Sequence, residues 1–331
     1  MTVPAKTLVI GSNSFSGAQY VKHLLEQGGE VVGISRSPEP HRAFLPYRWQ
    51  DHTGFRFQQL DLNHDLDAID ALIRRERFPV VANFAAQSMV AESWQNPDHW
   101  FMTNVVSTVR LHERLRKMDF LERYVHITTP EVYGNATGLL DETAPFDPST
   151  PYAVSRAAGD MSLKSYFRAY QFPVLFTRAA NVYGPGQQLY RIIPRTLLYI
   201  KLGRKLQLHG GGTSERSFIH IDDVSDAVLR ITERGKLGET YHISTDRVIT
   251  IRALVEMICA HMGVRFADHV EVVGERLGKD AAYRLDSAKL RRELGWQDKV
   301  TLEQGIEETL AWVNRFFDEL KTLPLDYIHK P

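Results

Sequence analysis

Residues 7–35 read TLVIGSNSFSGAQYVKHLLEQGGEVVGIS, and this stretch decides the fold class. A short apolar run leads into a glycine-containing turn at 11–17, an amphipathic segment at 18–27 and a second apolar run at 30–34. The order predicts a strand, a turn, a helix and a second strand. Such a βαβ unit binds a dinucleotide, because its glycines permit a tight turn and close helix packing while the helix N-terminus receives the pyrophosphate. The candidate residues of this turn are Gly11, Asn13, Ser14, Phe15, Ser16 and Gly17.

Strand and helix patterns continue to alternate as far as about residue 180. Long helical patterns at 97–118 and 152–170 accompany further apolar, β-prone runs, which lie at 55–60, 80–84, 124–127 and 173–177. This alternation favours a parallel sheet covered on both faces. We therefore predict an α/β protein, with a Rossmann-type doubly wound parallel sheet in residues 1–180 to which segments near 217–245 return. A smaller mixed α/β substrate-binding domain is predicted to occupy most of 181–331.

The end of the second strand bears on the choice of cofactor. Ser35 and Arg36 stand where an NAD site usually carries an acid for the adenosine ribose. A neutral residue followed by arginine suits a ribose 2′-phosphate, which an acid would repel and a guanidinium can bind. We predict NADP, with NAD as the alternative if Arg36 is only an exposed loop residue. Further candidates for cofactor contact follow later strands or interrupt a helix; they are Asp61, Leu62, Ala85, Ala86, Gln87 and Asn104.

The chemistry is predicted to lie in residues 126–156. Thr128, Thr129 and Glu131 follow an apolar strand, and open α/β sheets place ligands at the carboxyl ends of their strands. Tyr152 and Arg156 lie four residues apart and therefore on one face of a helix. A cation beside a phenol favours the phenolate, so Tyr152 is a candidate base near neutral pH. This arrangement is typical of an enzyme's active centre.

Composition limits the classes of function. Forty lysines and arginines balance forty aspartates and glutamates, and no basic block occurs, which argues against nucleic acid as a partner. The single cysteine, Cys259, lies in an apolar helical pattern and is predicted to be core rather than a nucleophile or metal ligand. Neither a membrane-length apolar run nor a signal peptide is visible, so the sequence predicts a cytoplasmic enzyme without a metal.

Several motifs resemble those of the extended short-chain dehydrogenase/reductase superfamily, and more narrowly its nucleotide-sugar 4,6-dehydratases of the GDP-mannose and dTDP-glucose types. They are NFAAQS at 83–88, TTPEVYG at 128–134, PYAVSR at 151–156, NVYGP at 181–185, RSFIHIDDV at 216–224, ERLGKD at 275–280 and LGW at 294–296. The resemblance covers nearly the whole chain, and the motifs occur in the family's order.

The resemblance implies a reaction at C4, C5 and C6 of a hexose. Tyr152 would take the proton of the 4-hydroxyl as hydride passes to the nicotinamide, Arg156 would hold the nicotinamide ribose, and Thr129 would bond the 4-oxygen. Glu131 would remove the C5 proton while the C6 hydroxyl leaves, and hydride would return to C6. The implied enzyme is a lyase of deoxysugar and polysaccharide biosynthesis that forms a 4-keto-6-deoxy sugar nucleotide. The implied substrate contacts are Ser88, Thr129, Asn181, Arg191, Arg216 and Arg276.

Four positions depart from the family pattern. Ser14 replaces the middle glycine of the phosphate turn, and Met89 replaces a histidine. Arg156 replaces the usual lysine, which changes the donor geometry where one cation must serve both a ribose and a phenol. Pro130 stands where glucose-type dehydratases place an aspartic acid, so Glu131 or a water would have to protonate the departing hydroxyl.

These departures leave other functions open. One is a related NDP-sugar 4-epimerase or uronate decarboxylase, although the sequence identifies no cation for a C6 carboxylate. The other is a catalytically silent dinucleotide-binding protein, although such a protein has no use for the sugar-binding arginines. The predicted partner is a nucleotide-diphosphate sugar, whose base the sequence does not specify. The resemblance also implies a homodimer whose four-helix bundle is built from helices 97–118 and 152–170.

Overall fold

A sheet of seven parallel strands is the centre of the computed structural model, which describes residues 5–136, 138–274 and 284–330. The strands in these ranges are Thr7–Ile10 (β1), Val31–Ser35 (β2), Phe55–Gln59 (β3), Val80–Asn83 (β4), Arg123–Thr128 (β5), Leu139–Leu140 (β6), Val174–Ala179 (β7), Asn181–Tyr183 (β8), Leu206–His209 (β9), Glu215–Arg216 (β10), Phe218–His220 (β11), Thr240–Ile243 (β12), Ile249–Thr250 (β13), Val270–Val273 (β14) and Arg284–Leu285 (β15). The central sheet has the order β3-β2-β1-β4-β5-β7-β12.

Helices cover both faces of this sheet and form much of the remaining chain. Within the same ranges they are Phe15–Glu26 (α1), Leu66–Glu76 (α2), Pro97–Phe101 (α3), Thr108–Leu115 (α4), Pro151–Tyr170 (α5), Ile192–Lys201 (α6), Ile221–Arg234 (α7), Ile251–His261 (α8), Phe266–His269 (α9), Ala288–Leu294 (α10), Leu302–Arg315 (α11) and Phe317–Leu320 (α12). None of the described helices is long and apolar enough to span a membrane.

The predicted doubly wound α/β fold is confirmed. The inner strands β1 and β4 are buried along their whole length, which explains their nearly continuous apolar sequences. The strand order reverses on either side of β1, which pairs with β2 on one side and with β4 on the other. The carboxyl ends of adjacent strands part at this point, and open α/β sheets bind their ligands in the resulting crevice.

The glycine turn after β1 is closely packed against the backbone that follows β4. Gly11 has a φ of +83°, and a Cβ placed there would lie 2.6 Å from the backbone nitrogen of Ala85. A Cβ on Gly17 would lie 2.2 Å from the carbonyl oxygen of Gly11. Ser14 caps α1, because its hydroxyl accepts a hydrogen bond from the Gly17 amide at 3.1 Å and donates to the Gly11 carbonyl at 2.7 Å. Ser14 therefore stabilises the turn in which it replaces a glycine.

A second, smaller core packs around α6, α8 and α11. Its strand pairs are β8 with β11 and β9 with β14, both parallel, and β10 with β13, antiparallel. The intervening helix α7 packs on α1, and β12 adds the last strand to the central sheet beside β7. The division into two domains at residue 180 stays a prediction.

One local prediction was wrong. The sequence of residues 217–224 predicts a helix capped by Asp222 or Asp223, but the cap of α7 is His220, whose Nδ1 accepts a hydrogen bond from the Asp222 amide at 3.4 Å. The Asp223 carboxylate instead accepts from the amides of Lys299 and Val300, at 2.9 and 3.0 Å. The helix predicted at 97–118 is present: α3, a π-helical turn at Met102–Ser107 and α4 follow one another without a break from Pro97 to Leu115.

Candidate active site

A cavity of about 430 Å³ lies at the carboxyl ends of β1 to β4. Ten of the predicted cofactor residues line it: Gly11, Asn13, Ser14, Ser35, Arg36, Asp61, Leu62, Ala85, Ala86 and Gln87. Phe15, Ser16 and Gly17 lie in the first turn of α1, immediately after the glycine turn. Gly11 has no side chain to cover the backbone where it lines this cavity, as a dinucleotide pyrophosphate requires. The residues present therefore fit a dinucleotide.

The loop after β2 forms one end of the cavity. Asn13 Nδ2 donates to the carbonyls of Ser37 and Pro38 at 3.0 and 3.1 Å, and Gln59 Nε2 donates to the carbonyl of Arg36 at 3.0 Å. These bonds fix the backbone of the loop. Ser37 follows Arg36 directly and lines the same cavity, but it was not among the predicted cofactor residues.

The π-helical turn gives Asn104 its place beside the cavity. Asn104 is buried, accepts a hydrogen bond from the Gln87 amide at 2.9 Å, and donates to the Gln87 carbonyl at 3.0 Å and to Ser155 Oγ at 2.9 Å. Asn104 therefore ties the loop after β4 to α5. Its described bonds are to protein groups, and its direct cofactor contact stays a prediction.

The loop after β5 begins a short 3₁₀ helix, Pro130–Tyr133. Thr129 is its cap, and the hydroxyl of Thr129 accepts from the Glu131 amide at 3.3 Å. Pro130 occupies the first position of this helix, where the missing N–H has no helical partner to lose. The local geometry thus explains why a proline is tolerated at this position and how the loop holds Thr129 and Glu131 next to one another.

Tyr152 lies in the first turn of α5, which is capped by Thr150 and has Pro151 in its first turn. Burial raises the pKa of Tyr152, and it outweighs the cation of Arg156 and a hydrogen bond with Thr129, both of which lower that pKa. The nearby carboxylate of Glu131 also raises it. The spacing of Tyr152 and Arg156 predicts that the cation prevails, but desolvation of the buried phenol outweighs it. The interactions on Tyr152 bring Thr129, Glu131 and Arg156 into one site.

Arg156 is buried, with 3 % of its surface exposed, one helical turn beyond Tyr152. Its Nη2 donates to the carbonyl oxygen of Ile127 in β5, whereas its Nε is buried without a hydrogen-bond partner. The cation at this position is therefore fixed to the strand that leads to Thr129.

Apart from Thr129, the predicted substrate residues that the structure describes lie on separate loops and strands. Arg191 caps α6 and is close enough to lower the pKa of Tyr152. Asn181 Nδ2 donates to the carbonyl of Ser217 at 3.3 Å, and Ser217 directly follows Arg216, the last residue of β10. Ser88 is exposed on the loop after β4. Arg276 and the motif at 275–280 lie outside the described residues.

Comparison with known proteins identifies the family. The family model described as GDP-mannose 4,6 dehydratase matches residues 8–309. The chain belongs to this family. It is 32 % identical to the dTDP-D-glucose 4,6-dehydratase of Homo sapiens, over 96 % of this chain and 92 % of that one.

Solved structures agree with this family. The dTDP-glucose 4,6-dehydratase of Bacillus anthracis in complex with NAD superposes with a TM-score of 0.86 at 29 % identity, over 96 % of this chain and 98 % of the other. The UDP-glucose 4-epimerase of Thermotoga maritima with UDP-glucose also has a TM-score of 0.86, at 25 % identity, over 94 % of this chain and 99 % of the other. Fold similarity therefore does not separate dehydration from epimerisation.

A buried ion pair, which was not among the sequence predictions, joins β7 to α5, the helix that carries Tyr152. Arg178 Nη2 in β7 donates to Asp160 Oδ2 in α5 at 2.6 Å, and neither side chain is exposed to solvent. Thr128 Oγ1 in β5 donates to the same oxygen at 3.0 Å. Asp160 lies eight residues after Tyr152 and four after Arg156, so all three share one helix face. That spacing was a signal visible in the sequence.

The other end of this ion pair continues into a chain of neutral groups. Arg178 Nη1 donates to Tyr133 Oη at 2.7 Å, and Tyr133 Oη lies 2.7 Å from His242 Nε2. His242 Nδ1 is 3.1 Å from the carbonyl of Leu140, which favours the tautomer with its proton on Nδ1. Burial lowers the pKa of His242 to about 3, so the imidazole is neutral. The two full charges of this network are those of Asp160 and Arg178.

We expect Asp160→Asn to lower the free energy of unfolding by about 3–5 kcal/mol, because it leaves the Arg178 guanidinium buried without its counter-charge. Urea unfolding followed by circular dichroism measures this change. The matched control is Asp119→Asn, whose carboxylate is exposed, and it should stay within about 0.5 kcal/mol of the unmodified protein. An equal, small effect for both variants would contradict the argument.

Proposed function

We propose that this protein is an NDP-sugar 4,6-dehydratase, which converts a hexose nucleotide into its 4-keto-6-deoxy derivative with loss of water. The observation that carries the proposal is the grouping of Thr129, Glu131 and Tyr152 at the carboxyl end of β5, beside a cleft that fits a dinucleotide. The phenol of Tyr152 can accept the proton of the 4-hydroxyl, and the carboxylate of Glu131 can accept the proton of C5. Each of the two proton transfers therefore has its own acceptor. The family relationship supports the same assignment.

The cofactor is a nicotinamide dinucleotide, held by the glycine turn after β1 and by the loops after β2, β3 and β4. When bound, it would accept hydride from C4 and return it to C6. We propose NADP rather than NAD, because Ser35 and Arg36 line the cavity after β2, where NAD sites usually carry an acid for the adenosine ribose. Arg156 supplies the cation for the nicotinamide ribose and for the phenol of Tyr152.

Tyr152 accepts the proton of the sugar 4-hydroxyl, and Thr129 bonds to the same oxygen. Glu131 then removes the C5 proton, which the adjacent 4-ketone acidifies. Because the side chain of Pro130 has no proton to give, Glu131 is also the best candidate for returning that proton to the departing C6 oxygen. One proton and one hydroxyl are lost in this step, which balances as one water. C5 takes a proton from solvent when hydride returns to C6, and Tyr152 releases to solvent the proton that it accepted.

The substrate side of the site is basic. We assign Arg191 and Arg216 to the diphosphate, since planar guanidinium groups bind phosphate oxygens in pairs, and Asn181 and Ser88 to the remaining polar contacts. Arg276 belongs to the same set on the strength of its motif alone. The nucleobase and the hexose of the substrate are to be identified by testing a panel of nucleotide sugars.

We further propose that two copies of the chain pair through α3, α4 and α5. Large apolar side chains are exposed on these elements and on the π-helical turn between α3 and α4: Phe101, Met102, Val154 and Met161 are 37, 43, 38 and 61 % exposed. Apolar groups gathered on adjacent helices are typical of an interface rather than of a free surface. A cytoplasmic location also stays a prediction.

Tyr152→Phe should abolish oxidation at C4 and preserve cofactor binding, because only the phenol oxygen is lost. We expect a loss of turnover of at least about a hundredfold. Arg156→Lys should retain activity, whereas Arg156→Met should lose most of it, because only the first keeps a cation beside the phenol. Turnover should also rise with pH above neutrality, since burial raises the pKa of the base. Unchanged turnover in Tyr152→Phe would refute the mechanism.

Glu131→Gln should separate oxidation from dehydration. The protein is incubated with GDP-mannose, dTDP-glucose, CDP-glucose and UDP-GlcNAc, and the products are analysed by mass. The unmodified protein should release water from at least one of them and exchange the C5 hydrogen with deuterated solvent. The variant keeps the shape of the side chain but lacks the base, so it should accumulate reduced cofactor and a 4-keto sugar that retains its C6 oxygen. Absence of both water loss and C5 exchange in the unmodified protein would favour epimerisation.

Arg36→Ala should weaken NADP binding by about tenfold and leave NAD binding unchanged, because only NADP carries the 2′-phosphate. Calorimetric titration with each dinucleotide measures both affinities. Arg75→Ala removes an exposed arginine from α2 and serves as the control for net charge. Tighter binding of NAD than of NADP by the unmodified protein would refute the assignment.

A further inference from the structure

The segment Leu325–Lys330, here called the strap, crosses from the second core to the dinucleotide cleft. At its start, Arg195 Nη2 in α6 donates to the Leu325 carbonyl at 2.8 Å and pairs with the Asp326 carboxylate at 2.5 Å. The ring of Tyr327 then meets the edge of the Tyr190 ring, 5.4 Å away between centroids. Tyr190 directly precedes Arg191, so the strap passes the substrate side before it reaches the cofactor side.

Its far end is held by the loop after β4 and by α3. Gln87 Nε2 donates to the carbonyl of Lys330 at 2.7 Å. The imidazole of His329 stacks on the buried indole of Trp100 at 5.1 Å, and its Nε2 is 2.8 Å from His99 Nδ1. The strap is thus bonded to α6 at its start and to the loop after β4 at its end.

Lys330 lies on the lining of the dinucleotide cavity and reaches across it. Its backbone bonds to Gln87 after β4, while its Nζ lies 3.4 Å from Ser37 Oγ after β2. Ser37 follows Arg36, which lines the same cavity. Two cations therefore flank the end of the cavity at which the adenosine ribose binds in this fold.

The charges around Lys330 favour an anion there. Among the described residues, its ammonium has the Ser37 hydroxyl as a partner and forms no ion pair with a carboxylate. The acid nearest along the loop, Glu39, is already paired with Arg48 at 2.9 Å. An ammonium and a guanidinium on the lining of one cavity, with Glu39 paired to Arg48, favour a phosphate beside the loop after β2, while the acid Asp61 lines the cavity after β3.

We propose that the strap closes over the bound dinucleotide and that Lys330 acts with Arg36 as the binding site for the ribose 2′-phosphate of NADP. This inference rests on the proposed preference for NADP and adds a residue that is 294 positions away from Arg36 in the sequence. It also gives the strap a function, which is to cover the cofactor between the loops after β2 and β4.

Lys330→Ala should weaken NADP binding by about fivefold and NAD binding by less than twofold, since an exposed ammonium contributes less than a buried one. Calorimetric titration without any sugar nucleotide measures both affinities. Lys330→Arg should retain the affinity for NADP, and Lys205→Ala, an exposed lysine away from the cleft, should change neither affinity. Equal weakening of NAD and NADP, or no weakening of NADP, would overturn the role of Lys330.

Closure of the strap has its own measurement. Chymotrypsin cleaves after tyrosine, and cleavage after Tyr327 is detected as a chain that has lost residues 328–331 by intact mass. Saturating NADP should slow this cleavage in the unmodified protein, and Lys330→Ala should remove most of that protection. Unchanged or faster cleavage with NADP would overturn the closure. These measurements do not require turnover, so failure of the dehydratase assignment leaves them valid. A loss of NADP affinity in Arg36→Ala but not in Lys330→Ala would reject the strap inference alone.

Discussion

The ion pair between Asp160 and Arg178 joins the three elements on which the site depends. Arg178 lies in β7, Asp160 in α5, and the hydroxyl of Thr128 at the end of β5 donates to the same carboxylate. Because β5 and β7 are neighbours in the sheet, this arrangement sets the position of α5 relative to the strand end. This packing brings Tyr152 of α5 next to Thr129 after β5, although the two residues are not neighbours in the sequence.

Burying such a pair is costly unless each charge keeps good partners. Here the carboxylate accepts from an arginine and a threonine, and the arginine donates to a tyrosine whose hydroxyl faces a neutral histidine. Asp160 Oδ1 and Arg178 Nε are buried without a hydrogen-bond partner among the described residues. Burial also holds the pKa of His126 well below its usual range, so no third charge enters from β5. The network thus joins α5, β5 and β7 behind the residues proposed for catalysis. Arg156, one turn before Asp160, is bonded to β5 in the same layer and can therefore replace a lysine without leaving its place at the phenol.

The cofactor cleft depends on a different constraint, the close approach of backbone in the glycine turn. Gly11 and Gly17 allow the turn to pack closely on Ala85 and on itself, and Ser14 supplies hydrogen bonds within the turn. The strap, which we propose covers the bound cofactor, is bonded to α6 and to the loop after β4. It therefore joins the second core to the edge of the cleft.

The sequence by itself determined the alternation of strands and helices, the glycine turn, and the side chains that stand at each strand end. These features follow from periodicity and from turn chemistry, which act over a few residues, and they predicted the fold class and the family correctly. Four-residue spacing likewise placed Tyr152 and Arg156 on one helix face. What the sequence did not reveal depends on groups far apart in the chain. Capping of α7 by His220 rather than by an aspartate arose because Asp223 found better donors in Lys299 and Val300, 76 and 77 residues away.

The raised pKa of Tyr152 depends on burial, which only the packed structure defines. The contact of Lys330 with Ser37 spans 293 residues, and the pair of Asp160 with Arg178 joins a helix to a strand across a loop. Local sequence specifies what each element is. Tertiary packing decides which elements meet, because desolvation and charge pairing act between groups that only the folded chain brings together.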